Sequence, residues 1–216
     1  MITIEVWSDL LCPFSYVAVL RLRRARARLG LDAQVRLEHH TFPLELFDGP
    51  HPRRGTDTEA VALGAIEPEA AFRVWTAPDD QYPHTVLLAA EAVHAASAQS
   101  PVAGEDLDLA LRRAFWTDSR SISHRQVILD VAATVPAVDV DELATALDSG
   151  TFRSAITADW AVARTDAIPA SPTLRFADGT TISNPGIAVH WDGPWASGFP
   201  VVDADDITVY DALLTR

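Results

Sequence analysis

The sequence predicts a mixed α/β fold in which a helical block separates an N-terminal βαβ unit from a C-terminal ββα unit. Apolar residues alternate near both ends of the chain, recur at helical spacing between them, and flank an Asp-Gly turn late in the sequence. The chain has 216 residues, of which 48% are hydrophobic. This is enough for one well-packed domain with an inserted subdomain.

The N-terminal unit begins with an alternating run over residues 2–8, which predicts a strand. Pro13 suits the first turn of a helix, and Gly30 is placed to end that helix. Residues 34–41 alternate again. Two strands joined by a helix predict a parallel βαβ unit.

Prolines and glycines interrupt residues 42–58, after which helical periodicity dominates as far as Ala163. Pro83 is predicted to begin one helix, which carries His84 and His94. We predict one domain formed by residues 1–45 and 151–216, interrupted by a helical insertion over residues 46–150.

The C-terminal segment contains a predicted hairpin, in which Asp178-Gly179 supplies a type I′ turn between two alternating runs. Residues 186–200 are rich in proline and aromatic residues, and we expect an irregular loop there. Trp191 and Trp195 of this loop are expected either to contact a ligand or to pack over the edge of the core. A short helix ending near Leu214 closes the chain.

The net charge of −13 gives no basic surface for nucleic acid or anionic lipid, so neither is an expected partner. All 17 basic residues are arginine, which excludes mechanisms that need a lysine amine. Arg21, Arg24 and Arg28 lie on one helix face that we expect to be solvated. No signal-peptide pattern or long apolar run is present, and we expect a cytoplasmic protein.

Cys12 is the single cysteine, so the chain forms no internal disulfide and no cysteine-based zinc site, and no metal is expected. It falls at the start of the first predicted helix. Unpaired N–H groups and the helix dipole favour thiolate there, which predicts a lowered pKa. Ser15, one turn further, is placed to donate a hydrogen bond to the sulfur. The alternative is a small buried hydrophobic residue without chemistry.

The segment from Ser8 to Tyr16, between a strand and a helix, resembles the active-site segment of the thioredoxin-fold DsbA family. It is most similar to the cytoplasmic FrnE-like and 2-hydroxychromene-2-carboxylate isomerase-like branches. Residues 111–116 and 170–173 resemble that family as well. The resemblance implies a thioredoxin-like fold interrupted by an all-helical insertion.

The resemblance also implies roles for residues. Pro172 matches a cis proline that faces the reactive sulfur, and Ser171 would then bind an extended substrate through its backbone. Pro13 and Phe14 are implied to contact the substrate. His84 is implied to face the cleft, where it would bind a thiol ligand or carry a proton, and the alternative is an exposed histidine at the start of a helix. This chain differs from dithiol members because it carries Cys-x-x-Ser in place of Cys-x-x-Cys.

The expected function is therefore thiol–disulfide exchange as a monothiol, with Cys12, Ser15 and Pro172 as catalytic residues. No tightly bound cofactor is expected. The expected partner is a small thiol, such as glutathione or mycothiol, or a thiol-containing protein, and a homodimer is left open. One alternative is an enzyme similar to kappa-class glutathione transferases and 2-hydroxychromene-2-carboxylate isomerases. Another is a thioredoxin-fold binding module without turnover.

Overall fold

The computed structural model describes residues 1–194 and 198–216. The strands are β1 (Ile2–Ser8), β2 (Val35–Thr41), β3 (Thr173–Arg175), β4 (Thr181–Ser183), β5 (Ile187–Asp192) and β6 (Phe199–Asp205). The helices are α1 (Pro13–Arg28), α2 (Glu45–Asp48), α3 (Arg53–Ile66), α4 (Leu87–Gln99), α5 (Pro101–Trp116), α6 (Arg125–Ala132), α7 (Val140–Ser149), α8 (Arg153–Ala163) and α9 (Val209–Leu214). Among these described residues, no helix is long and apolar enough to cross a bilayer.

A four-stranded sheet in the order β2-β1-β3-β4 forms the centre of the α/β domain. Strands β1 and β2 are parallel, whereas β3 is antiparallel to both of its neighbours. This confirms the predicted α/β class. The predicted hairpin joins β3 to β4. The predicted type I′ turn is wrong, because Asp178 does not have a positive φ. The N–H of Gly179 donates to the carbonyl of Phe176 at 2.9 Å, and Gly179 alone in this turn is left-handed, with a φ of +84°.

The core of this domain lies between the sheet and helices α1 and α9. Each element contributes fully or nearly fully buried apolar side chains, among them Val6 of β1, Leu37 of β2, Leu174 of β3, Leu22 of α1 and Tyr210 of α9. Alternating apolar side chains of β1 and β2 form the buried face of the sheet. Apolar residues at helical spacing form the side of α1 that covers this face.

Helices α2 to α8 stand between β2 and β3 in the sequence, and most of their buried side chains form a second core. Leu10, Leu11 and Tyr16, which flank Cys12, belong to that same core. The segment around Cys12 is thereby packed against the helical part. The exact domain boundaries, after residues 45 and 150, stay a prediction.

The predicted helix start at Pro83 is wrong, because α4 begins at Leu87. The carboxylate of Glu45 accepts hydrogen bonds from the backbone N–H of Val86 at 2.8 Å and from the hydroxyl of Thr85 at 2.6 Å. This contact with a distant segment holds the chain before the helix. His84 consequently lies in a loop, where its side chain is exposed.

The prediction of an irregular loop over residues 186–200 is also wrong, because β5 and β6 form a separate antiparallel hairpin. The glycine and proline residues that suggested a loop, Gly193 and Pro194, lie between the strands. Ile187 and Val189 pack against the residues around Cys12. Burial therefore stabilises a strand in which Ile187, Val189 and Trp191 alternate with exposed residues.

Arg21 ties this hairpin to α1, although we expected its side chain to be solvated. Its guanidinium is buried and donates to Glu67 Oε2 at 2.7 Å and to Asp205 Oδ2 of β6 at 2.9 Å. Arg24 and Arg28 are more exposed and form ion pairs with Glu67 and Asp211. The acidic partners that bury Arg21 are remote in sequence, so helix periodicity did not predict them.

Asp159 of α8 joins that helix to the sheet. Its carboxylate accepts from the backbone N–H of Thr41 at 2.7 Å and lies 2.9 Å from a ring nitrogen of both His40 and His94. Burial alone would raise the pKa of Asp159, but the hydrogen bonds from the two histidines outweigh it and lower the pKa to about 2. Burial likewise opposes charge on His40, yet Asp159 raises the pKa of that ring.

We expect Asp159→Asn to lower the free energy of unfolding by about 2 kcal/mol, the equivalent of the shift in pKa at about 1.4 kcal/mol per pH unit. The loss should be largest between about pH 4 and pH 6.5. The stabilisation by Asp159 is present above its ordinary pKa of 3.8 and lost as pH falls towards 2. That by His40 is present below its ordinary pKa of 6.5 and lost as pH rises through its raised pKa.

Urea unfolding at a series of pH values measures this. The matched control is Asp211→Asn, which removes an exposed ion pair and should change stability by less than about 1 kcal/mol. An Asp159→Asn effect that is as large at pH 9 as at pH 5 would contradict the assigned pairing.

Candidate active site

The loop between β1 and α1 places Cys12 at the N-cap of α1, with Pro13 as the first helical residue. The Asp9 carboxylate accepts from the backbone N–H of Leu11 at 2.7 Å and from that of Leu44 at 2.9 Å. Asp9 thus satisfies two buried backbone donors and fixes the turn that precedes the cysteine.

Arg112 of α5 holds the same loop from the other side. Its guanidinium is fully buried and donates to the carbonyl oxygen of Asp9 at 2.8 Å and to the hydroxyl of Ser8 at 2.7 Å. Its Nε and Nη2 atoms also donate to the carboxylate of Asp108, one turn earlier on α5, at 2.8 and 3.0 Å. Arg112 therefore links the helical part of the chain to the loop that carries the sulfur.

Three of the predicted site residues meet directly at the sulfur. The Cys12 thiol donates to the carbonyl oxygen of Ser171 at 3.2 Å. The hydroxyls of Ser15 and Ser171 lie 2.9 Å apart, and the Ser171 hydroxyl accepts from the backbone N–H of Asp9. The peptide bond between Ser171 and Pro172 is cis, the isomer implied by the family resemblance.

The predicted lowering of the Cys12 pKa is wrong. The residue is only 5% exposed, and its burial raises the pKa of the thiol. Hydrogen bonds from Ser15 and Ser171 oppose this increase only in part, and the negative charge of Glu59 adds to it. The helix N-terminus does not compensate for the loss of water around a thiolate.

A cavity of about 680 Å³ opens onto the sulfur. Its lining includes the predicted substrate-binding residues Pro13, Phe14, Ser171 and Trp191. The apolar part of the remaining wall comes from the segment after β2, the end of α8, the segment before β3, and β5, with Phe42, Leu44, Phe47, Ala163, Ile168, Pro169, Ala170 and Val189. Polar and charged residues complete the wall, namely Asp48, His51, Glu59, Arg164, Thr165, Asp166 and Asn184. The cavity therefore combines a thiol with a surface suited to apolar groups.

Of the predicted site residues that the structure describes, Ser15, His84 and Pro172 are not among those that line this cavity. His84 is exposed in the loop before α4 and is not among the lining residues. Trp195 lies outside the described residues. Pro172 is buried behind Ser171.

Glu59 of α3 also lines the cavity, and it was not among the predicted site residues. Its side chain is 5% exposed, and burial raises its pKa to about 8. Its Oε2 atom has no hydrogen-bond partner among the described residues. A signal was present in the sequence, because Glu59 lies four residues before the fully buried Leu63 and four after the buried Gly55, on the inner face of the helix.

A cysteine at the start of the helix that follows a sheet strand, facing a proline at the start of another strand of that sheet, defines the site of a thioredoxin-fold thiol–disulfide oxidoreductase. The chain belongs to the DSBA-like thioredoxin domain family, whose profile matches residues 3–182. No curated protein matches it in sequence.

Solved structures share the fold. A probable DsbA oxidoreductase from Streptomyces coelicolor superposes with a TM-score of 0.71 at 19% identity, covering 100% of this chain and 89% of the other. The cytosolic disulfide reductase DsbM from Pseudomonas aeruginosa, with GSH, gives 0.63 at 15% identity and coverage of 99% and 97%. A 2-hydroxychromene-2-carboxylate isomerase gives 0.60 at 12% identity and coverage of 83% and 87%.

We expect the Cys12 thiol to titrate above its ordinary pKa of 9.0, and Ser15→Ala to raise that pKa further by removing a hydrogen bond to the sulfur. Alkylation rates with iodoacetamide between pH 6 and pH 11 measure both. Ser183→Ala is a control, because that hydroxyl bonds to Thr173 at 2.7 Å and not to the sulfur. A thiol pKa below 8 in the unaltered protein would contradict the assigned effect of burial.

Proposed function

We propose that the protein exchanges disulfides as a monothiol, with Cys12 forming a mixed disulfide that a second thiol resolves. The observation that carries this proposal is the position of the sulfur. Cys12 Sγ lies between the start of α1 and the Ser171 carbonyl, at the wall of the cavity. Ser15 occupies the position from which a second cysteine would resolve the disulfide internally.

The exchange proceeds in two displacements. Cys12 loses its proton, and the thiolate attacks a disulfide RS–SR′. A bond forms between Cys12 Sγ and the sulfur of R, the original disulfide breaks, and R′S⁻ leaves and takes up a proton. A second thiol, R″SH, then attacks the mixed disulfide, which gives RS–SR″ and restores the Cys12 thiol. The net reaction exchanges R″SH for R′SH and needs no further oxidant.

The polar groups of the site act on the sulfur at both stages. Ser15 and Ser171 donate hydrogen bonds that favour the thiolate over the thiol. The backbone of Ser171, beside Pro172, is positioned to pair with an extended substrate once the sulfur is engaged. Arg112 and Asp9 hold the loop, so the sulfur does not need to be repositioned between steps.

The cavity suits a small thiol as the second substrate, which resolves the mixed disulfide. Glutathione and mycothiol are the candidates that the sequence resemblance suggested. The volume accommodates a small-molecule ligand. DsbM, which shares the fold, is described as a cytosolic reductase with GSH. A cytoplasmic location, where small thiols are plentiful, fits the same reaction.

A transferase or isomerase that joins a small thiol to an apolar molecule is the second candidate. The aromatic wall of the cavity favours it, because Phe14, Phe42, Phe47 and Trp191 offer a surface for an apolar ring beside the thiol. The two candidate functions differ in whether they require Cys12. Exchange needs its sulfur, whereas a serine could still help to position a thiol bound in the cavity.

Incubation with oxidised glutathione, followed by intact-mass measurement, tests the exchange. We expect one glutathione adduct on the unaltered protein and none on Cys12→Ser. Ser15→Cys should first form the adduct and then lose it to an internal disulfide, because the new thiol lies one turn from Cys12. Both variants retain a small side chain, and thermal unfolding serves as the control for folding.

Absence of the adduct, with Cys12 still open to alkylation, would contradict exchange and support a binding module. Equal exchange rates for Cys12→Ser and the unaltered protein would place the chemistry elsewhere. Conversion of a chromene-carboxylate by both proteins, without exchange in either, would favour the isomerase.

A further inference from the structure

Glu59 is a buried acid without an evident structural purpose. It belongs to α3, outside the β1–α1 segment that carries Cys12, and is 5% exposed. Buried carboxyl groups normally form ion pairs or hydrogen bonds, since an isolated charge in the interior is costly. Its Oε2 atom instead has no partner among the described residues, and the side chain lines the cavity that opens onto Cys12.

Resolution of the mixed disulfide is the step in which an acid near the Cys12 sulfur would help. When a thiol attacks the mixed disulfide, Cys12 leaves as a thiolate in a buried position. Ser15 and Ser171 provide hydrogen bonds, but burial still favours the neutral thiol. A group that delivers a proton as the sulfur–sulfur bond breaks would therefore accelerate release.

We propose that Glu59 is the acid that returns a proton to Cys12 when the mixed disulfide is resolved. This inference rests on the proposed monothiol exchange. The attacking thiolate bonds to the sulfur of R, and the bond between that sulfur and Cys12 Sγ breaks. The Glu59 proton passes to the departing Cys12 thiolate, directly or through one water molecule. The Glu59 carboxylate then takes up the proton that the attacking thiol released on ionising.

The protonation state of Glu59 suits this task at neutral pH. Burial alone raises its pKa to about 8, so the carboxylic acid predominates below that value. The two groups also interact electrostatically, because ionised Glu59 raises the pKa of Cys12. The pair therefore resists carrying two negative charges at the same time.

Among the described residues, no charged group contributes to the raised pKa of Glu59, which burial alone causes. The cavity is also lined by Asp48, His51, Arg164 and Asp166. Tyr82 lies close enough for Glu59 to raise its pKa, and its hydroxyl is hydrogen-bonded to Thr56. From α1, Arg21 and Arg24 reach Glu67, the C-cap residue of α3, about two turns beyond Glu59.

The test follows the release of glutathione from the preformed Cys12 adduct by dithiothreitol, with rates divided by the concentration of the dithiothreitol thiolate. For the unaltered protein, this normalised rate should fall as pH rises through about 8, when Glu59 loses its proton. Glu59→Gln should be slower by about tenfold or more at pH 7 and should show no such fall, since an amide donates no proton.

Alkylation gives a second readout that structural damage would not reproduce. Glu59→Gln removes a negative charge beside the sulfur, so Cys12 should react faster with iodoacetamide near pH 9 although adduct release at pH 7 is slower. Damage to the site would instead change both rates at all pH values. Glu59→Asp keeps the acid and should retain part of the pH dependence.

Glu91→Gln is the matched control. Glu91 is 3% exposed and also has an oxygen without a partner among the described residues, but it lines a different cavity, between α4 and α8. Neither rate should change in this variant.

The outcomes separate the two proposals. If no glutathione adduct forms on the unaltered protein, monothiol exchange fails and the role of Glu59 fails with it. If the adduct forms but its normalised release has the same pH profile in Glu59→Gln as in the unaltered protein, exchange stands and Glu59 is not the proton donor. The profile of the unaltered protein alone decides the question if Glu59→Gln does not fold, because a flat profile overturns the proposal.

Discussion

The buried guanidinium of Arg112 is the constraint on which the site depends. It belongs to a helix of the inserted block, yet two of its hydrogen bonds end on Ser8 and Asp9, just before Cys12. Four residues later on α5, Trp116 donates to the carbonyl of Leu10 at 3.2 Å. A cationic side chain is stable without water only when an opposite charge and hydrogen-bond acceptors surround it. The insertion therefore fixes the loop that carries the sulfur, as well as supplying part of the cavity wall.

The same burial sets the chemistry of the sulfur. Excluding water keeps Cys12 mainly as a thiol and Glu59 mainly as a carboxylic acid near neutral pH. A thiol of high pKa attacks disulfides slowly at neutral pH, because only a small fraction of it is ionised. The thiolate that does form is intrinsically more nucleophilic than one of low pKa. It is also a poor leaving group, so release of the mixed disulfide is the step in which a nearby acid has most effect. The cavity gives a substrate access to a sulfur that is otherwise buried away from water.

Much of the fold could be predicted where local pattern and burial agree. Alternation over β1 and β2, Pro13 at the start of α1 and the turn at Gly179 each reflect backbone preferences that a few neighbouring residues decide. Prediction failed where distant residues intervened. Glu45 holds Val86 and shifts the start of α4, Asp205 and Glu67 bury Arg21, and packing near Cys12 turns residues 187–192 into a strand. In each case the deciding contact joins segments far apart in sequence.

The sequence by itself determined that one cysteine begins a helix, that a serine stands where a resolving cysteine would be, and that Ser171 and Pro172 precede a strand. These are matters of order and spacing along the chain. Only the tertiary structure decided that the thiol is held protonated, that Glu59 lines its cavity, and that Trp191 does so while His84 does not. Proton affinity depends on how much water and charge surround a group in three dimensions, and those surroundings are assembled from helices and strands that no local pattern connects.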